Sequence, residues 1–510
     1  MPDNRPSSNA RFSRKSLNII IILTSVMILV FLNLPGSKMP GEEAEEPTPL
    51  AEDTSAELFS DSDEAGEPAA PTLESLAIIE SKPTVSHKVN IQSWNTTGGA
   101  KVLFVESHEV PMLDIRLVFN AGSARDGDQP GTALFVNAML NEGTERYSVD
   151  DIAKHFEGLG AEFSNGSYRD QAVASLRTLS DPEFRQPALD MFYEIVANPS
   201  FPDRSMERIR EQLLISLEHK KQKPGTVASD HFYETLYQGH PYGIPSDGTT
   251  ESLRQLTKKD LQAFHQRYYV ASNAVIAIVG AVPPESAKAM ATAIDNALPK
   301  GAPANRLPTP EPLQQARKEH IKFPSSQSHV LYGATSIKRS DPLRYALLVG
   351  NHILGGGGFT SRLNQTIRQD NGLAYSVYSY FSPMAVSGPF IMGLQTRNDQ
   401  REEALTLMQS TLKNFMKEGP TQQELEDAKR NIINSFPLSV ASNSNIVGNL
   451  GAIGFYDLPL DYLDTYLKKI EAVSVEDIKA AFRQTLTPET MLTVIVGPEA
   501  EAAAADGKQQ

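Results

Sequence analysis

Two stretches of this chain, 217 residues apart, are one unit written twice. Leu253–Gly280 reads LRQLTKKDLQAFHQRYYVASNAVIAIVG and Ile470–Gly497 reads IEAVSVEDIKAAFRQTLTPETMLTVIVG, with Asp260 opposite Asp477 and Gly280 opposite Gly497 and no gap between. Each opens on a Ser/Thr-x-x-Asp helix start (Thr257 to Asp260, Ser474 to Asp477), where a hydroxyl caps free amides of the first turn. Each closes on a β-branched run ending in glycine, the pattern of a strand. A second element recurs. Met112–Gly122 is an alternating strand followed by the apolar helix Gly131–Leu140, and His329–Thr335 is followed by the apolar helix Leu343–Leu354. Further helix starts stand at Ser148–Asp151 and Thr421–Glu424. The duplication predicts two homologous α+β domains, at 85–300 and 320–500. Each should hold a mostly antiparallel sheet with helices packed on one face. The Pro/Ala-rich stretch Leu298–Gln315 places the interdomain linker at about 301–319.

The first 84 residues read differently. Leu17–Leu34 (LNIIIILTSVMILVFLNL) is almost wholly apolar. Its 18 residues would make a helix of roughly 27 Å, near the thickness of a bilayer core. Arg11, Arg14 and Lys15 precede it, so the positive-inside rule predicts a cytoplasmic N-terminus at 1–16 and a transmembrane signal anchor at 17–34. No small-x-small cleavage site follows the run. The expected location is therefore a bacterial-type inner membrane, crossed once, with the globular body in the periplasm. Between Met39 and Ser81 there are 13 acidic residues and no Lys or Arg, which predicts an acidic, disordered tether at 35–84. Residues 501–510 are expected to be a disordered tail. Most of the net charge of −15 sits in the tether, so it implies nothing about partners, and no basic patch suggests nucleic acid. The absence of cysteine removes thiol nucleophiles, disulfides and Cys-ligated metals.

Ser361–Tyr378 (SRLNQTIRQDNGLAYSVY) sets Arg368 seven residues before Tyr375, just after the run Gly355–Gly358. That run lacks the Lys-Ser/Thr of a phosphate loop, and reads as a hinge or a close backbone approach to peptide at Gly356 and Gly357. Gly131–Thr144 reads GTALFVNAMLNEGT. The first of these segments resembles the arginine–tyrosine segment of the pitrilysin/insulinase (M16) zinc peptidases. The second resembles their zinc helix, G-x-A-H-F-x-E-H-M-x-x-x-G-T, in its short two-domain subfamily. Gly131, Ala133, Phe135, Met139, Gly143 and Thr144 match. Leu134, Asn137 and Ala138 stand where the two histidines and the glutamate belong.

That pattern has a physical basis. Residues i and i+4 share a helix face, so two imidazoles there bind one zinc, while the glutamate takes a proton from the bound water. Leucine and alanine offer no lone pair. The third ligand of the family, a glutamate on a later helix, aligns with Ile215 or Ser216. The chain itself is therefore expected to bind no metal. The resemblance also makes Asn165 and Gly166, in Phe163–Asp170, positions of an edge strand that pairs with peptide. It implies that Arg368 and Tyr375 act on peptide in trans, in a heterodimer with an HxxEH-bearing M16 paralogue that holds the zinc. The alternative is an inactive scaffold or peptide-binding module.

Overall fold

The computed structural model describes residues 89–499. The first sheet holds β1 (Gln92–Asn95), β2 (Lys101–Glu106), β3 (Met112–Phe119), β4 (Glu162–Ser167), β5 (Ala172–Leu179) and β6 (Ala274–Gly280), in the order β1-β2-β6-β3-β5-β4. The second holds β7 (Arg317–Lys322), β8 (Gln327–Thr335), β9 (Ser376–Phe381), β10 (Pro389–Arg397) and β11 (Leu492–Gly497), in the order β7-β11-β8-β10-β9. Apart from β1 the two orders correspond strand for strand. In each, one pair is parallel (β2 with β6, β7 with β11) and the others run antiparallel.

The helices repeat in the same way. The first domain carries α1 (Thr132–Ala138), α2 (Val149–Leu159), α3 (Pro182–Ala197), α4 (Asp203–Lys221), α5 (Pro224–Leu236), α6 (Thr250–Gln255), α7 (Lys258–Tyr268) and α8 (Pro284–Ala297). The second carries α9 (Arg344–Asn351), α10 (Arg401–Glu418), α11 (Gln422–Ser435), α12 (Asn443–Phe455), α13 (Tyr462–Glu471) and α14 (Val475–Thr485). All four helix starts read from the sequence are reciprocal capping boxes, at Ser148, Thr257, Thr421 and Ser474.

The expectation of helices on one face of each sheet needs correction. Each domain lends a helix to the other. α12 packs on β2, β3 and β6 of the first sheet, and its counterpart α5 packs on β8 and β11 of the second. The cause lies in the strands: every residue of β6 and β11 is buried, so both faces need an apolar cover. The two covers fit by opposite means. At one, Gly454 lies so close to the sheet that a Cβ there would stand 2.4 Å from a methyl of Val275. At the other, the Phe232 ring reaches to 3.0 Å from where a Cβ of Gly333 would be. Leu103, Val118 and Val275 thereby share one apolar cluster with Val447, Leu450 and the second domain's core.

A polar node also joins the domains. The buried Asp170 carboxylate accepts from the Tyr242 hydroxyl (2.5 Å), the Ala385 amide (2.8 Å) and the Tyr456 hydroxyl (3.3 Å). Burial pushes its carboxyl above the ordinary value, against the pull of those donors.

The single-pass, periplasmic placement is also corrected. Among the described residues no helix is long and apolar enough to cross a membrane. The longest, α4, carries nine charged residues among its 19. The stretch that carried the expectation, 17–34, lies outside the described residues, as do the tether and the C-terminal tail.

Candidate functional site

Helix α1 starts where Gly131 turns at φ +90 and the Asp126 carboxylate accepts the amides of Gly131 and Ala133, both at 2.8 Å. Leu134 and Ala138 lie half-buried, one turn apart, and Asn137 is 3% exposed. The Asn137 amide nitrogen donates to the Val173 carbonyl on β5 (3.1 Å) and to the Tyr269 hydroxyl (3.3 Å). Asn165, on the edge strand β4, donates its amide to the backbone carbonyl of Asn137 at 2.6 Å. Asn137 is thus a pin between helix and sheet. Beside it, Gly166 leaves room for Tyr168, whose hydroxyl would stand 3.0 Å from a Cβ there.

These residues do not fit zinc. Leucine and alanine have no donor atoms, and the amide nitrogen of Asn137 is spent on the sheet. Ile215 and Ser216 sit on an exposed face of α4. Among the described residues no three His, Cys, Asp or Glu side chains gather as a metal site.

The second group lies in the other domain. After α9 the chain continues as a π-helical turn, His352–Gly356, and then as the glycine run. Gly355, Gly356 and Gly357 have no space for a side chain. Cβ atoms there would stand 2.4 Å from the Ser379 hydroxyl, 2.8 Å from the Asn351 amide and 2.6 Å from the His352 carbonyl. A second π-helical turn, Asn364–Gln369, carries Arg368. Arg362 anchors this segment by a two-pronged bond to Glu424, 2.7 Å on each side. The Thr396 hydroxyl holds the Leu373 carbonyl at 2.5 Å and so fixes the approach to Tyr375.

The Arg368 guanidinium lies between two rings, 5.0 Å from the centre of Phe359 and 5.1 Å from that of Tyr375. Both rings face solvent, 64% and 74% exposed. At such sites each cation–ring contact contributes about 0.5–1 kcal/mol. Among the described residues the guanidinium has no hydrogen bond or ion pair, so its N–H groups are available. The pairing of Arg368 with Tyr375 is therefore a spatial fact. Phe359 was missed in the sequence. Its signal was a large aromatic placed directly after the glycine run, and Gln369 fixes it by donating to the Phe359 carbonyl (2.9 Å). Leu134, Asn137 and Ala138 gather with Asn165, and Arg368 gathers with Tyr375. No hydrogen bond, ion pair or ring contact among the described residues joins the two groups.

Residues 101–250 match the family model for insulinase (peptidase family M16), and residues 255–432 match that for the peptidase M16 inactive domain. The crystal structure of a peptidase M16 inactive domain from Pseudomonas fluorescens is 47% identical, with a TM-score of 0.78, covering 80% of this chain and 98% of that one. The chain belongs to the M16 peptidase family. This M16 chain is also similar to a non-peptidase homolog, YmxG, of Helicobacter pylori (28% identical, 74% of this chain and 87% of that one). An uncharacterized zinc protease, YmxG, of Bacillus subtilis is 26% identical over 82% of this chain and 95% of its own length. An inactive M16-like body is what these likenesses and the lost donor set together support.

Proposed function

We propose that this chain is the metal-free subunit of a two-chain M16-type peptidase. It presents Arg368 and Tyr375 to peptide bound at another M16 chain that carries HxxEH. The observation behind this reading is the asymmetry of the two groups. The helix that would hold metal is closed by Leu134, Ala138 and the pinned Asn137. Arg368 lies between its two rings and is left open to a visitor. Guanidinium and phenol donate in fixed geometries to a carbonyl oxygen, and donors placed where negative charge grows contribute a few kcal/mol. The edge strand β4, with Asn165 and Gly166, adds a backbone ledge on which an extended peptide can pair.

The test mixes this chain with a purified HxxEH-bearing M16 chain. Peptide hydrolysis should need both. Arg368→Ala should lower turnover about a hundredfold while the two chains still associate. A partner that is equally active alone sinks the proposal. The second reading, an inactive scaffold, draws on the printed description of the Helicobacter pylori relative as a non-peptidase homolog. Peptide binding by this chain with no protease partner would favour it.

A further inference from the structure

The duplication assigns a counterpart to every position of α1. An offset of 214 sets Leu134, Asn137 and Ala138 opposite Leu348, Asn351 and His352, and sets Asn165 opposite Ser379. The contacts agree with this register. Asn137 is tied to the edge strand β4 through Asn165, and Asn351 is tied to the edge strand β9 through Ser379. The Asn351 amide donates to the Ser379 carbonyl (3.0 Å) and accepts from its hydroxyl (2.7 Å).

At this equivalent place the second domain holds a cavity of about 60 Å³ between α9 and β9. A water needs at least about 10–15 Å³, so the space takes a ligand of a few heavy atoms. Leu347, Leu348 and Phe381 form an apolar wall, Arg339, Arg344 and His352 form a polar one, and no Asp or Glu lines it. His352 is 8% exposed, and among the described residues neither ring nitrogen has a hydrogen-bond partner. This imidazole lines the open space, so its nitrogens can meet a ligand there. Burial lowers its pKa to about 4, so at neutral pH it offers one N–H and one lone pair. The Arg344 guanidinium lies over Tyr345 and Tyr462, at 4.7 and 4.4 Å from the ring centres. Its guanidinium donates to the Arg339 carbonyl (3.2 Å) and to the Tyr462 hydroxyl, and it has no carboxylate partner among the described residues. The first domain has no such chemistry: Pro130 and Ala138 stand opposite Arg344 and His352.

We propose that this cavity is a binding site for a carboxylate carried on a short apolar stem. Arg344 and Arg339 face the charge, His352 gives one hydrogen bond, and Leu347, Leu348 and Phe381 take the stem. The carboxylate belongs either to a small free acid or to the C-terminus of a peptide. The site is independent of the Arg368 reading, and its test needs no partner chain.

The test follows the ring signals of the full chain, labelled at its ten histidines, by NMR, with His352 assigned through His352→Gln. Butyrate should move the His352 signal and saturate at millimolar concentration, as suits six heavy atoms, and butyramide should not. Arg344→Met should weaken butyrate about tenfold or more. Leu348→Phe keeps the charges, fills the space and should abolish the shift. A tetrapeptide with a free C-terminus that moves the signal where its amidated form does not identifies the peptide source. A response to butyrate without one to the peptide identifies the small acid. The proposal is overturned if butyrate and butyramide act alike, if neither acts at about 10 mM, or if Leu348→Phe leaves the shift intact.

Discussion

Helices α1 and α9 hold equivalent places against equivalent edge strands, yet they have come to differ in kind. α1 presents Leu134 and Ala138 and has nothing left to offer a ligand. α9 and its π-helical extension keep a cavity with cationic walls. What both retain is an asparagine whose side chain ties the helix to its sheet, through Val173 in one domain and Ser379 in the other. The position that the family uses for a proton-accepting glutamate is therefore, in this chain, a structural joint in both halves. A joint survives the loss of chemistry because removing it leaves buried polar groups without partners.

The comparison can be broken most forcefully at the exchanged helices. Phe232→Ala removes a ring from the cover of the second sheet and should cost about 3–5 kcal/mol. Gly454→Leu forces a side chain into the cover of the first and should cost about 3 kcal/mol. Urea unfolding should show one transition, lowered by either change. Two separate transitions, each moved by one substitution, would mean that the domains stand independently. A finer probe is the pair Asn137→Ala and Asn351→Ala. Each should cost about 2 kcal/mol, since each removes the hydrogen bonds made with a sheet carbonyl and a hydroxyl. A cost at one site alone would end the equivalence of the two joints.

The smallest expected effect concerns pH, and it falls on a feature of one half only. Asp170 sits in the β4–β5 turn, and the corresponding stretch of the second domain, 382–388, has no acid. Its carboxyl is raised in the fold above the ordinary 3.8, because burial penalises the charge. The folded state then holds the proton better than the unfolded chain. Its contribution is complete below 3.8 and fades as pH climbs through the raised value. Stability should fall across that window by at most about 1.4 kcal/mol per pH unit for one proton. Asp170→Asn should flatten the slope. An unchanged slope in chemical denaturation at stepped pH would acquit this carboxyl.

Much of this was legible because it is local. The capping boxes at Thr257 and Ser474 and the apolar runs of β6 and β11 are written within a few residues, so their recurrence revealed two domains. The lost donors at Leu134 and Ala138 needed only helix periodicity to interpret. What escaped was non-local. Nothing near Asn137 announces Tyr269, 132 residues on. The exchange of α5 and α12 was hinted at only by strands too apolar for one covered face, and Ile446–Phe455 shows small and apolar residues on every side. Phe359 joins Arg368 by a loop path whose shape the glycines permit but do not spell out.

The crossed helices also impose an order on manufacture. Synthesis reaches α12 late, so the first sheet leaves the ribosome with a greasy back and waits, exposed, while the second domain is made. A message cut short before residue 443 would not yield a smaller working protein. It would release a half-shell that has to be shielded or destroyed.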